Sequence, residues 1–264
     1  MAVKSAIEWT NATWNPVTGC TKVSPGCAHC YAEAITLRFG RGGPFLPGKT
    51  TIQLHTDRLY LPLSWNSPRR IFVNSMSDLF HEEVPSSFIQ QVFTVMGEAN
   101  WHTFQILTKR HQRLTMLAPQ LVWPGNVWMG VSVENQYWAD RRVPALLKVP
   151  AAVRFLSVEP LLKPVGLSDY LEHLDWVIAG GESGPRARPI DPNWVRKLRD
   201  ECIAAGVAFF FKQWGGRTSK AGGRVLDGRI WDEMPRVRDA PRTLMSHKFR
   251  HTVSERVVPV AAGG

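Results

Sequence analysis

The sequence is poor in cysteine, short of acidic residues and without a long apolar run. Four cysteines in 264 residues are too few for a disulfide scaffold, which concentrates its cysteines in short secreted chains. No stretch reaches the roughly 18 consecutive apolar residues of a membrane span. Residues 1–10 lack the apolar centre of a secretory signal. A cytoplasmic protein with no membrane association is therefore expected. The 22 acidic residues are outnumbered by 32 Lys and Arg, a net charge of +10. That excess favours polyanionic partners, nucleic acid above all, although a basic surface that only aids solubility fits equally well. An apolar fraction of 44% with 20% charged residues excludes disorder throughout.

What is present is a repeating alternation of short apolar runs and helical stretches. β-branched or aromatic runs occur at Ile71–Asn74, Thr103–Thr108, Val127–Val133, Val153–Val158, Trp176–Ala179 and Val207–Lys212. They are apolar on both faces, as buried parallel strands are. Helical patterns fill the gaps. Tyr31–Phe39 follows the cysteines, and Ser86–Ala99 places Phe88, Val92, Phe93 and Met96 on one face behind a Ser cap. A later helix starts at Asp191-Pro192 and stops at Gly206, with Cys202 on its apolar stripe as a small hydrophobe. The expected fold is α/β: a partial (β/α)6-type parallel barrel, TIM-barrel-like, with a further strand before Cys20. A doubly wound sheet is the alternative. Residues 1–235 form the barrel domain with its N-terminal cysteine loop. Residues 236–264, with six basic and two acidic side chains, read as a basic, flexible tail.

Both architectures put chemistry at the carboxyl ends of the strands, and every strand here ends in charged or hydroxyl groups. Three of the four cysteines lie together as Cys20-x6-Cys27-x2-Cys30. The x2 pair lets two thiolates grip one centre, and Pro25-Gly26 can turn the chain back to bring in a third. Three thiolates suit a [4Fe–4S] cluster with one open iron. Zinc, closed by His29, His55 or His81, and unligated cysteines are the other readings.

A three-cysteine loop followed by repeated βα units resembles the radical S-adenosylmethionine superfamily. More closely, the chain resembles a phage- and bacterium-associated three-cysteine family of unknown function. The resemblance rests on Trp14-Asn15-Pro16 with Gly19-Cys20, on Gly26-Cys27 and Cys30-Tyr31-Ala32-Glu33, and on the run from Phe72 to His81. It continues through Leu107-Thr108-Lys109-Arg110, Gly130–Glu134, Ser157–Leu161, Gly180–Gly184 and Phe211–Gly215. It implies a [4Fe–4S] cluster on Cys20, Cys27 and Cys30 with S-adenosylmethionine on the fourth iron. The cysteines are then both metal ligands and the catalytic centre.

The resemblance also assigns roles at the strand ends. Asn74, Ser75 and Asp78 stand where the methionine ammonium is held, although Asp78 equally suits a turn or helix cap. Ser132, Glu134 and Asn135 are placed for the ribose. Arg141 or Arg142 fits the methionine carboxylate, unless both are surface charges. Glu159 and Glu182 occupy matching positions facing one cavity and read as cofactor or substrate contacts rather than caps. Lys109, Arg110, Arg186, Arg188 and Lys212 make a basic ring that, with Trp214, Trp14 and Tyr31, suits a phosphate-bearing, stackable substrate; tryptophans that merely fill the rim are the alternative. Two functions follow. One is a radical enzyme for DNA base modification or lesion repair, acting on DNA rather than RNA as a monomer served by an external electron donor. The other is a non-catalytic nucleic-acid-binding protein whose cluster or zinc is structural.

Overall fold

Seven short apolar runs pair side by side in one parallel sheet in the computed structural model, which describes residues 5, 7–40, 42–218 and 220–236. In chain order the strands are β1 (Ala12–Trp14), β2 (Val17–Thr18), β3 (Gln53–Leu54), β4 (Arg70–Val73), β5 (Thr103–Thr108), β6 (Val127–Ser132), β7 (Val153–Val158), β8 (Trp176–Gly180), β9 (Ala208–Gln213), β10 (Val225–Leu226) and β11 (Arg229–Ile230). The helices are α1 (Tyr31–Arg38), α2 (Thr56–Leu59), α3 (Ser86–Glu98), α4 (His111–Leu117), α5 (Gln136–Leu147) and α6 (Pro192–Ala205). The sheet runs β1-β4-β5-β6-β7-β8-β9, and each pair in it is parallel. This order never reverses, so the sheet winds one way and curls into a half-barrel; a doubly wound sheet would reverse at a switch point. The strand expected before Cys20 is β1. Among the described residues, no helix is long and apolar enough to cross a membrane.

Strand alternation divides the core in two. Outward side chains such as Ile71, Ile106, Met129, Leu156, Val177 and Phe209 pack with α3, α5 and α6 in the larger cluster, where Cys202 also lies. Inward side chains Phe72, Trp128, Phe155, Trp176 and Phe210 join Trp9 in a second cluster containing no helix residue. This aromatic plug fills the floor of the half-barrel, with Trp9 and Trp176 edge to face at 6.2 Å. Further along the same inward faces stand Asn74, Ser157 and Lys212, two residues on from Phe72, Phe155 and Phe210, and Ser132 and Gly180, four residues on from Trp128 and Trp176. A polar layer thus sits directly on the plug because the pleat sends every second residue to the same face.

Local signals act as their chemistry dictates. Asp191 accepts a hydrogen bond from the Asn193 amide at 2.8 Å, and Gly206 closes α6 at φ 68°. Ser86, expected as the cap of α3, lies inside the helix; Pro85 takes the cap position without a side-chain bond. Past β10 and β11, the chain runs antiparallel along the β9 edge, with the Phe211 amide donating to the Trp231 carbonyl at 2.9 Å. That contact covers an edge otherwise open to pairing. The proposed basic tail, apart from Arg236, lies outside the described residues.

Gly130 is required by the plug, since a Cβ there would stand 2.5 Å from the Phe155 ring. Gly130→Ala is expected to cost about 1–3 kcal/mol through overpacking, measured as a lowered denaturant midpoint with an unchanged slope.

Candidate functional site

The cysteine loop lies across the carboxyl ends of the strands, and polar side chains from those ends hold it down. Gly19 enters the loop at φ +88°, where a Cβ would meet the Thr51 carbonyl oxygen at 2.3 Å. From the end of β4, Asn74 Oδ1 accepts from the Val17 amide at 3.2 Å, and Ser77 donates to the Val17 carbonyl at 2.9 Å. Beyond β5, Arg110 donates to the Thr21 carbonyl at 3.0 Å and to its hydroxyl at 2.9 Å. His81 Nδ1 accepts from the Glu83 amide, so Nε2 carries the proton and donates to the Thr21 hydroxyl at 2.9 Å. Beyond β6, Glu134 Oε1 accepts from the Gly26 amide at 3.3 Å. Beyond β8, Glu182 accepts from His29 Nδ1 at 2.9 Å, and Arg188 donates to the Pro25 carbonyl at 2.9 Å. Tyr31, one residue past Cys30, donates to the Ser75 carbonyl at 2.6 Å.

Two of these anchors are carboxylates paired with arginine. Glu134 and Arg142 both have side-chain exposures of 0% and meet at 2.8 Å. Arg142 also donates to the Ser132 carbonyl at 2.8 Å and rests over the Trp138 ring at 4.0 Å. Burial pulls the Arg142 pKa down, and Glu134 opposes that pull. Burial raises the Glu182 pKa, but bonds from Arg188 and His29 outweigh it and bring the carboxyl to about 2, from a usual 4.5. This lowered value stabilises the fold above the ordinary carboxyl range, and the contribution disappears as pH falls toward 2.

The thiols are desolvated. Burial, reinforced by Asp78, pushes Cys20 up to about 12, while Arg110, with Nη2 3.9 Å from its sulfur, pulls the other way. Burial raises Cys30 as well, against the amides of Glu33 and Ala32 at the start of α1. Cys27 adds to the rise in both. Protonated, they are poor ligands; a metal centre that deprotonates them relieves both burial and mutual repulsion. Among the described residues, no three His, Cys, Asp or Glu side chains could hold a single metal ion. A cluster binds each thiolate to a different iron and so needs no common point, and an all-thiolate donor set is the kind it takes. Among the described residues no histidine joins the sulfurs in a single-ion site such as the zinc alternative requires. His29 bonds Glu182, His81 bonds Thr21 and His55 bonds the Thr18 hydroxyl at 2.8 Å.

Several expected contacts are replaced by protein partners. Asp78 accepts from the Thr108 hydroxyl at 2.7 Å and from the Lys109 and Phe80 amides at 3.0 Å, acting as a local cap. Asn135 is the N-cap of α5, accepting from the Trp138 amide. Arg142 is buried against Glu134 instead of being open to a ligand carboxylate. Ser75 donates to Asn15 at 3.1 Å. Lys109 donates to the Ser132 hydroxyl at 3.0 Å, and Lys212 pairs with Glu159 at 2.8 Å. Of the expected basic ring, Arg110 is buried and pairs with Glu82 as well as the loop. Arg188 is bound to Glu182, and Arg186 stands exposed. Trp14 lies in the core, and Trp214 packs on Phe211 at 4.6 Å while donating to the Val225 carbonyl. Trp14 is closed to a substrate, whereas Trp214 is half-buried. His81, Thr21, Asn15 and the amide of Gly26 belong to the loop's anchoring and have no distinctive spacing that marks them in sequence.

Glu134→Ala strands the Arg142 charge and is expected to cost about 3–5 kcal/mol in unfolding free energy. The double variant Glu134→Leu, Arg142→Met should recover most of that stability, yet alkylation of Cys27 should be faster because the Gly26 amide has lost its acceptor. In acid titrations, the stability advantage of the native protein over Glu182→Gln should shrink between pH 4.5 and about 2, read from unfolding midpoints.

The fold is similar to that of solved spore photoproduct lyases. A cysteine-to-serine mutant shares 15% identity at a TM-score of 0.46, covering 75% of this chain and 62% of that one. A complex with dinucleoside spore photoproduct gives 14% identity and a TM-score of 0.42, covering 70% of this chain and 58% of that one. A double mutant with bound AdoMet and dinucleoside spore photoproduct gives 14% identity and a TM-score of 0.42, covering 77% and 56%. The chain therefore spans less than two thirds of the length of these lyases. No curated protein matches the sequence significantly. Residues 4–235 match the family described as Protein of unknown function (DUF5131), and the chain belongs to that family.

Proposed function

We propose that the chain is an iron–sulfur enzyme of the radical S-adenosylmethionine type acting on DNA, in base modification or lesion repair. The observation that carries the reading is one loop presenting three cysteines across the carboxyl ends of parallel strands, Cys20 and Cys30 among them desolvated, with no single-ion site among the described residues. Cys20, Cys27 and Cys30 would hold three irons of a [4Fe–4S] cluster and leave the fourth for S-adenosylmethionine. When bound, the pair supplies reductive cleavage of the sulfonium, with 5′-deoxyadenosine as the released product. The chain's own part is orientation and exclusion of water. Asn74 is buried with Nδ2 unpartnered among the described residues, and is the polar group at the strand ends best suited to receive a ligand atom. Ser75, Ser132 and Glu159 complete that layer. The enzyme acts as a cytoplasmic monomer with an external one-electron donor.

One observation favours a non-catalytic, nucleic-acid-binding protein with a structural cluster: Glu134, Glu182 and Arg142, three of the groups expected to contact the cofactor, are engaged in holding the loop and its partners. Protein purified without oxygen separates the readings. About four irons and four sulfides per chain are expected, lost in Cys27→Ala while the circular dichroism is retained. S-adenosylmethionine should change the visible spectrum, and reduction should release 5′-deoxyadenosine. A cluster whose spectrum ignores S-adenosylmethionine, or a chain that takes up zinc instead, selects the structural reading, and a chain that takes up no metal overturns both.

A further inference from the structure

Most cations expected to meet a polyanion are already engaged with protein groups, as described for Arg110, Arg188, Lys109 and Lys212. The uncommitted positive charge lies beside them, where the chain leaves β9. There Gly215 and Gly216 adopt φ 80° and 109°, and Gly223 adopts 65°. A Cβ on Gly215 would meet the Glu182 carbonyl oxygen at 2.1 Å, and one on Gly222 would meet Trp214 Cβ at 2.6 Å. These close approaches fold 214–218 against 220–223. The Trp214 amide donates to Gly223 and the Gly222 amide to Gly215, both at 3.0 Å. The same backbone is laced to the turn after β8, since the Gly216 amide donates to Glu182 and the Gly184 amide to Gly216, both at 2.9 Å.

This fixed backbone carries Arg217 and Lys220, both exposed, with Arg186 exposed on the turn to which it is bonded. None of the three has an ionic partner among the described residues. No Asp or Glu occurs in 183–190 or 214–226. The next acid in the chain, Asp227, is already held by Arg196 and Arg199. At the loop's base Arg224 lies over the Phe210 ring at 4.9 Å, with Nε and Nη2 unpartnered among the described residues. Cations that stand apart on a fixed backbone, with no carboxylate between them, match a row of phosphates better than one small anion, which needs donors converging on a point. Holding them on a preformed loop lowers the ordering cost of binding.

We propose that Arg186, Arg217 and Lys220 form the contact with the DNA phosphate backbone, guiding the strand past the cysteine loop. Glu182 connects the two, accepting from Gly216 through its carbonyl and from His29 through its carboxylate. The proposal rests on the nucleic-acid reading and moves its contact surface from the strand ends to this glycine-rich rim.

The test is binding of a fluorescent DNA oligonucleotide to the purified full chain, by anisotropy across a salt series. The Arg217→Gln, Lys220→Gln double variant should lower the log–log salt slope by about two, one phosphate contact per cation, with iron content and thermal midpoint unchanged. Lys148→Gln, an exposed cation before β7 and so at the opposite end of the strands, should leave the slope nearly as it was. If the unaltered protein binds DNA and the double variant keeps the same slope, the rim assignment is overturned while the nucleic-acid reading stands. If the unaltered protein does not bind DNA at all, the reading beneath it fails. Binding to phosphatidylserine vesicles but not to the oligonucleotide, lost in the double variant, would assign the rim to a membrane surface and overturn the proposal.

Discussion

A loop that gathers three thiols must be held in place over the sheet, and here part of the holding is done by carboxylates at the ends of strands. Glu134 reaches the Gly26 amide with one oxygen and Arg142 with the other. A carboxylate removed from water needs a cation beside it to offset the lost hydration. Arg142 supplies that cation and is itself held by Trp138 and the Ser132 carbonyl. Glycine at position 26 leaves room for the Glu134 carboxylate, which a Cβ there would approach at 3.2 Å. Glu182 repeats the device further round the sheet, with Arg188 as its cation and His29 as its grip on the loop. The cysteine loop is thus positioned by charges at the strand ends, of which Arg110 also reaches the Cys20 sulfur.

The half-barrel makes this possible by keeping its apolar and polar inward residues in separate layers. Trp9, Phe72, Trp128, Phe155, Trp176 and Phe210 close the floor, so nothing polar above them needs to reach through the sheet. The strand ends can then place Asn74, Ser132, Glu159 and Lys212 in one layer facing the loop. Gly130 makes room for Phe155, and Gly180 leaves space for Glu159, whose Cγ a Cβ there would approach at 2.9 Å. Small residues in two strands are therefore consequences of large ones in their neighbours.

Much of the fold was legible because its signals are local. The strand runs from Thr103 to Thr108 and from Val153 to Val158 carry their period in the chain itself, as do the Asp191-Pro192 start and the Gly206 stop of α6. The site was legible at its cysteines, whose spacing is a chemical signal, and at its strand ends, whose polarity is unusual. What those strand-end residues touch was not. Glu134 lies 108 positions from Gly26, Glu182 lies 153 from His29, and Arg110 lies 89 from Thr21. A carboxylate awaiting a cofactor and one bonded to a backbone amide are written the same way in sequence.

By itself, then, the sequence determined that parallel strands would form, that their polar ends would face one mouth, and that three thiols would be available there. Each of those depends on residue type and short-range spacing. Tertiary structure alone decided that the sheet winds in one direction, that Arg110 and Arg142 are buried rather than open to a ligand, and that Arg186, Arg217 and Lys220 remain uncommitted. Whether a charge is free depends on which groups fold against it, and those groups come from distant parts of the chain.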